Sequence, residues 1–542
     1  MTKVLAIGLL SVLAACDQEE PRPDVETLDP RGQLIRLSVD LRGVHPSEAE
    51  LAAIEANPAL YDDYVDRYLE DPRFVGRVKE IFNLRYLTRN GDSYYDPSEA
   101  GLSLSSATVA DALAEEPLAL LGYIVENDLP FTEMVLADYT MANPITAAMW
   151  NIDIGDADGW AKGTYRDGRP HAGLLSMQTI WERYPSMGGN ANRHRANAVA
   201  RMLLCDDYLT RPIVLNRAAV DQLTIDPEDA ISTSDTCQSC HSTLDPLAAH
   251  FYGFYHVEEP MDLAEGRVYQ PENEEVWRAY AGKEPGYYGT PTGGLRELAE
   301  SLAADPRMHQ CAVQTVFEGL TQREFSDEDW TEIQYYTERF ESNNLNLKEL
   351  VRDLVSTDYY KATSVYDPDL DERLSTVKTA SPAQLAGIIE GVTGYRWTFS
   401  GRDGLTTNDI GLPVLAGGID ADTVKVPAYD PGVGLVFVVE RLAQAAAATV
   451  AAHDLDPDRV EDARLLAYVT INDTPESNPD AFDAQIRALY LSATGKALSA
   501  EATEPAALMA MWKELYSVTG SAEDAWAGVL SAVLRDPEVL FY

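Results

Sequence analysis

The sequence predicts a mainly α, multidomain protein in which one helical-hairpin module recurs. Apolar residues repeat at i, i+3/i+4 along most of the chain, and long alternating runs are scarce. Helix-start signals also return at intervals. A chain of 542 residues holds roughly two to four domains, and 45% hydrophobic residues suffice to fill their cores.

The N-terminus is read first. Lys3 precedes an apolar run from Val4 to Ala15 that ends Leu13-Ala14-Ala15-Cys16. The run is too short to span a bilayer, and its flanks fit a cleaved signal. It resembles a bacterial lipoprotein signal, which implies removal of residues 1–15 and lipid on Cys16. A plain secretory signal is the alternative. Residues 16–30 are acidic and Pro-rich, as a flexible tether would be. No other segment reads as long and apolar enough to span. The expectation is a soluble body in the bacterial cell envelope, lipid-anchored and facing the periplasm or the cell surface.

Helical spacing follows over Leu51–Leu69, Leu295–Leu302, Leu347–Val355, Leu435–Val450 and Trp526–Leu540. Start signals stand at Ser47-Glu48-Ala49-Glu50, Ser326-Asp327-Glu328-Asp329, Ser381-Pro382-Ala383-Gln384 and Ser499-Ala500-Glu501. Gly- and Asp-rich residues near 150–170, the Gly/Pro/Tyr-rich stretch 271–295 and the Asp/Pro-rich stretch 361–380 read as loops or linkers. These divide the chain into an N-terminal helical domain at 31–150, a middle domain at 165–365 and a C-terminal domain at 380–542. Three stretches share one order of helix, turn, acidic helix start and amphipathic helix: Leu41–Phe74, Phe317–Tyr360 and Leu489–Pro537. One module used three times explains this; convergent capping chemistry is the alternative.

The middle domain carries the most specific signal. Residues 237–241 read Cys237-Gln238-Ser239-Cys240-His241, the C-x-x-C-H attachment signature of a c-type haem. Two thiols one helical turn apart can add to the vinyl groups of one macrocycle, and the adjacent imidazole can ligate the iron from the proximal side. A zinc site needs a second Cys/His pair at short spacing, and none is visible. A redox dithiol needs a preceding strand, whereas Asp229–Thr236 reads as a polar loop. Five cysteines are present. With Cys16 assigned to lipid and two to haem, Cys205 and Cys311 remain. In an oxidising compartment they are a candidate disulfide, with two buried thiols as the alternative.

Lys and Arg total 42 against 88 Asp and Glu, a net charge of −46. That balance disfavours nucleic acid and anionic lipid. It suits a basic redox partner or a salty habitat, or is a solvated surface with no specific partner. No G-x-S-x-G, Walker or H-E-x-x-H motif appears.

Arg36–Pro46 with Asp66–Phe74, Pro130–Met134 with Ala137–Asn143, Ala172–Leu175, Leu203–Cys205, Cys237–His241 with Leu244-Asp245-Pro246-Leu247, and the tail Ala532–Tyr542 together resemble a family. It is that of the cytochrome c-like multidomain proteins of planctomycetes and myxobacteria, built from domains of unknown function. The resemblance implies a helical multidomain fold around a c-type haem segment, with no settled reaction. Two departures stand out: Ala248–Phe254 replaces an acidic-aromatic cluster, and Ser232–Thr236 lacks a His often found there.

The sixth iron ligand decides between electron transfer and small-molecule chemistry. The candidates are Met308 and His309, then Met261; His250, His256, Met177, Met187, His171 and His194 stand further back. The expected function is outer-sphere electron transfer through one covalent haem c to a redox partner protein. A partner-binding scaffold with a structural or sensory haem is one alternative. The other is a peroxide-reactive haem enzyme, for which Arg193-His194-Arg195 is a candidate distal cluster or else a solvated helix face.

Overall fold

The protein is mainly helical. The structure, a computed structural model, describes residues 24–91, 96–186, 188–212, 227–254, 263, 266, 268–280, 283–366, 374–408, 410–459 and 462–542. The stretch 1–15 read as a signal, Cys16, Met187, His256 and Met261 lie outside the described residues.

The chain enters through strand β1 (Val25–Thr27), so the stretch 16–30 read as a tether is already part of the fold from Val25 onward. Helix α1 (Pro30–Arg42) begins where the Asp29 carboxylate accepts the Gly32 amide at 2.7 Å, with proline in its first turn. It stops at Gly43, whose φ of 68° is a left-handed cap that glycine adopts without strain. Helix α2 (Glu48–Ala56) opens on a reciprocal Ser47/Glu50 capping box. Pro58 then forces Asn57 into extended backbone, so the run Leu51–Leu69 is two helices, α2 and α3 (Tyr61–Leu69). Asp71-Pro72 starts α4 (Pro72–Tyr86).

Helix α5 (Glu116–Glu126) leads to a small antiparallel sheet of β2 (Thr140–Ala142), β3 (Ile152–Asp153) and β4 (Ala161–Tyr165), in the order β2-β4-β3. Part of the loop expected near 150–170 is therefore strand. At the start of α5, Glu116 is fully buried; its Oε2 accepts the Thr179 hydroxyl at 2.6 Å, and the Thr179 Oγ1 in turn accepts the Trp150 indole N–H at 3.0 Å. Burial pushes the Glu116 carboxyl up to about 7, so the fold holds it protonated in mild acid. An unfolded chain releases this proton near pH 4.5, so stability falls as pH rises from 4.5 through 7. Glu116→Gln is expected to be near neutral at pH 4.5 and stabilising by about 3 kcal/mol at pH 8. Denaturant midpoints at the two pH values check this; equal effects at both would refute it.

The middle of the chain supplies α6 (Arg193–Leu204), α7 (Asp235–Ala248), α8 (Pro306–Thr321), α9 (Trp330–Ser342) and α10 (Leu347–Val355). After α10, strand β5 (Ala362–Val365) pairs antiparallel with β1. Residues 378–380 pair with the chain end: the Lys378 amide donates to the Tyr542 carbonyl at 2.9 Å, and the Ala380 amide to the Leu540 carbonyl at 2.8 Å. The stretch read as a linker is thus bonded into the fold at both sides of its undescribed centre.

The C-terminal third adds α11 (Pro382–Thr393), α12 (Val433–Asp454), α13 (Pro479–Thr494), α14 (Glu504–Thr519) and α15 (Ala522–Val533). Helix α12 has the length and composition to cross a membrane, contrary to the reading that no such segment follows the signal. Here it packs on α15 and buries Leu435, Val438, Val439, Leu442, Ala443 and Ala446. Each of the three stretches read as one module has the order helix, left-handed cap, helix, helix, with caps at Gly43, Gln322 and Gly495. The start signal at Ser499 is not used; α14 begins at Glu504, and the Ser499 carbonyl instead accepts the Arg487 guanidinium at 2.8 Å. One apolar core runs from Leu34 to Val539 through all these helices.

A buried polar cluster ties α1 to later segments. Asp40 Oδ2 accepts the Lys378 ammonium at 2.6 Å and the Tyr360 hydroxyl at 2.7 Å, while Oδ1 accepts the Tyr542 hydroxyl at 2.7 Å. One turn earlier, Arg36 donates to the Tyr360 and Ala362 carbonyls at 2.8 Å and to the Thr376 carbonyl at 2.6 Å.

Candidate functional site

The site is built on α7. The residues just before it form a short helix, Pro227–Thr233, rather than the loop expected from their polarity. The first half of α7 is only partly covered: Cys237, Cys240 and His241 are all half-buried. Its second half, Leu244, Asp245, Leu247 and Ala248, is packed into the core. The helix is thus held from its C-terminal end and presents its N-terminal turns.

Cys237 and Cys240 are unpaired thiols three residues apart on this helix, with Cys240 resting against the core edge. His241 Nδ1 lies 2.9 Å from Asp245 Oδ1, an i,i+4 contact along α7. Asp245 also receives the Arg193 guanidinium, Nε to Oδ1 at 2.7 Å and Nη2 to Oδ2 at 3.2 Å. Burial alone would raise the Asp245 carboxyl, but the hydrogen bonds from His241 and Arg193 outweigh it and hold it below the usual carboxylate range. With Nδ1 engaged, the ring is oriented and Nε2 is the nitrogen left to coordinate. That is the usual second-sphere arrangement for a metal-bound histidine.

This donor set fits covalent haem: two free thiols one turn apart, followed by an imidazole whose non-coordinating nitrogen is already held. For zinc a third and fourth ligand are needed. Among the described residues, no three His, Cys, Asp or Glu side chains converge to hold a metal ion.

Arg193 opens α6, and α6 is firmly anchored. Arg195 is buried and donates to the Phe254 carbonyl at 2.9 Å, just beyond α7. His194 Nδ1 sits 2.9 Å from the Pro185 carbonyl. The three residues of Arg193-His194-Arg195 part ways: His194 is exposed, Arg193 reaches Asp245 beside His241, and Arg195 is a buried packing anchor. At the other end of α6, Cys205 is joined to Cys311 of α8 by a disulfide with a Cα–Cα distance of 5.2 Å.

The distal candidates fare unequally. His309 has both ring nitrogens engaged, Nδ1 with Glu341 at 2.7 Å and Nε2 with the Ala303 carbonyl at 3.2 Å, so it presents no free nitrogen. Its position on α8 turns it toward Glu341 of α9. His250 is likewise held, by the Leu247 carbonyl at 3.0 Å and the Thr292 hydroxyl at 2.6 Å, and burial pushes its imidazole down to about 4. Met308 is fully buried within the main core, as is Met177. Met261 lies outside the described residues.

A family model described as a protein of unknown function, DUF1592, matches residues 35–152. No curated protein matches the chain, and no solved structure does. The matched stretch contacts the elements that flank α7. Arg201 of α6 donates to the Arg85 carbonyl at 2.8 Å, and the Tyr184 hydroxyl donates to the Tyr86 carbonyl at 2.7 Å. Arg85 of the matched stretch pairs with Glu318 of α8 at 2.6 Å.

Sequence reasoning singled out Cys237, Cys240 and His241, named Arg193 only within the Arg193-His194-Arg195 cluster, and gave Asp245 no role beside His241. The Asp245 signal was present: a carboxylate four residues after a histidine on a helix faces it. Arg193 carries no comparable local signal, because its partner lies 52 positions away.

Proposed function

We propose that the chain is a mono-haem c-type cytochrome of the bacterial cell envelope, lipid-anchored through Cys16, that transfers electrons to a redox partner protein. The observation that carries this reading is Cys237, Cys240 and His241 on one helix, with His241 Nδ1 taken by Asp245 so that Nε2 remains for iron. Cys237 and Cys240 would hold the macrocycle, and His241 would be the proximal ligand. The haem, when bound, supplies a one-electron iron couple. The chain fixes the ring orientation of His241 through Asp245 and braces α7 against α6. The acidic surface, net −46, favours a basic partner at the moment of encounter.

The test is a pyridine haemochrome spectrum and a haem-stained denaturing gel, on protein produced with a cytochrome c maturation system. One covalent haem per chain is expected, and none in Cys237→Ala/Cys240→Ala. Wild-type protein without covalent haem would overturn the reading.

A further inference from the structure

We propose that Asp245 and Arg193 act as an opposed pair that sets the reduction potential of the iron held by His241, Asp245 lowering it and Arg193 raising it. The inference rests on the haem reading above and concerns two positioning residues.

The geometry is specific. The Asp245 carboxylate is 2.9 Å from His241 Nδ1, and its side chain is 2% exposed, so water screens its charge little. A carboxylate accepting the Nδ1 proton raises the basicity of Nε2. A more basic ligand, with a negative charge behind it, favours the ferric over the ferrous state. Left alone, this carboxylate would pull the potential far down. Arg193 checks that tendency. Its guanidinium grips both oxygens, at 2.7 and 3.2 Å, and competes with His241 for Oδ1 itself. The bidentate fork spreads the carboxylate charge and weakens the bond offered to the imidazole.

The pair is also held in place independently of any bound group. Asp245 sits in the packed half of α7. Arg193 is the first residue of α6, fixed two residues later by Arg195 on the Phe254 carbonyl and at its far end by the Cys205–Cys311 bridge. Both arms of the balance therefore belong to rigid elements, which a tuned potential requires.

The experiment is a spectroelectrochemical titration of the full-length holoprotein in three forms: wild type, Asp245→Asn and Arg193→Gln. Asp245→Asn keeps a hydrogen-bond acceptor but removes the charge. Its midpoint is expected to rise by about a tenfold change in the ferrous/ferric ratio, 59 mV for one electron. Arg193→Gln is expected to move the midpoint the opposite way. A second readout is the iron–imidazole stretch of the ferrous protein with its sixth position free. It should drop in frequency in Asp245→Asn and rise in Arg193→Gln. A purely structural role would loosen the site in both variants and move both midpoints together. Covalent haem at one per chain with midpoints that stay put, or shift in the same direction, overturns the inference and leaves the haem reading standing. If Asp245→Asn fails to fold, the downward shift in Arg193→Gln still decides. Wild-type protein without covalent haem sinks both.

Discussion

Asp40→Ala is expected to destabilise the protein by about 3–5 kcal/mol, because it strands a buried ammonium. The side chains of Asp40 and Lys378 are each 2% exposed and 2.6 Å apart. Burial already depresses the Lys378 ammonium despite its partner, which shows how little water reaches it. Two tyrosine hydroxyls lose their acceptor in the same step, Tyr360 and Tyr542, each 2.7 Å from the carboxylate. Leaving one buried donor unpaired costs about 1–3 kcal/mol by itself. The effect is read as a fall in denaturant midpoint. The double variant Asp40→Leu/Lys378→Met should recover much of the loss, since removing both charges also removes their desolvation cost. If the double variant is as unstable as the single, the charge argument is wrong and the cluster acts through shape alone.

Removing the disulfide is the second large effect. Cys205 and Cys311 are 106 residues apart, so their bond closes a loop that includes all of α7. A bridge over so long a loop restricts the unfolded chain strongly, and Cys205→Ala/Cys311→Ala is expected to cost about 2–5 kcal/mol. The sulfurs bridge the end of α6 to the second turn of α8, and the two helices also pack on each other, so folded packing there is expected to survive without the bond. The loss should therefore appear as a lower denaturant midpoint with unchanged helix content. A change smaller than about 0.5 kcal/mol would mean that the loop is already restrained in the unfolded ensemble.

What the sequence disclosed follows the range of the forces involved. Ser47, Ser326 and Ser381 cap the starts read from their own neighbourhoods, because a cap needs only the next three residues. Cys237, Cys240 and His241 were legible for the same reason. The strand Val25–Thr27 was not, since its partner Ala362–Val365 lies at the far end of the middle segment, and each half alone looks like tether or linker. Asp40 looked like one more helix carboxylate; only its meeting with Lys378 and Tyr542, 338 and 502 positions on, gives it a role. The partners of His309 were not legible either, because the helix phase that turns it toward Glu341 depends on packing.

The contact between Asp40 and Tyr542 also imposes a schedule. At ordinary synthesis rates, residue 542 follows residue 40 out of the ribosome by roughly 25–100 s, given about 5–20 residues per second. Until then the Asp40 carboxylate lacks first the Lys378 ammonium and, to the last, the Tyr542 hydroxyl. The opening of the chain therefore cannot reach its final form as it emerges. A nascent product that stalls short of Tyr542 keeps an exposed, half-made core at its front, open to proteases, while a finished one seals it.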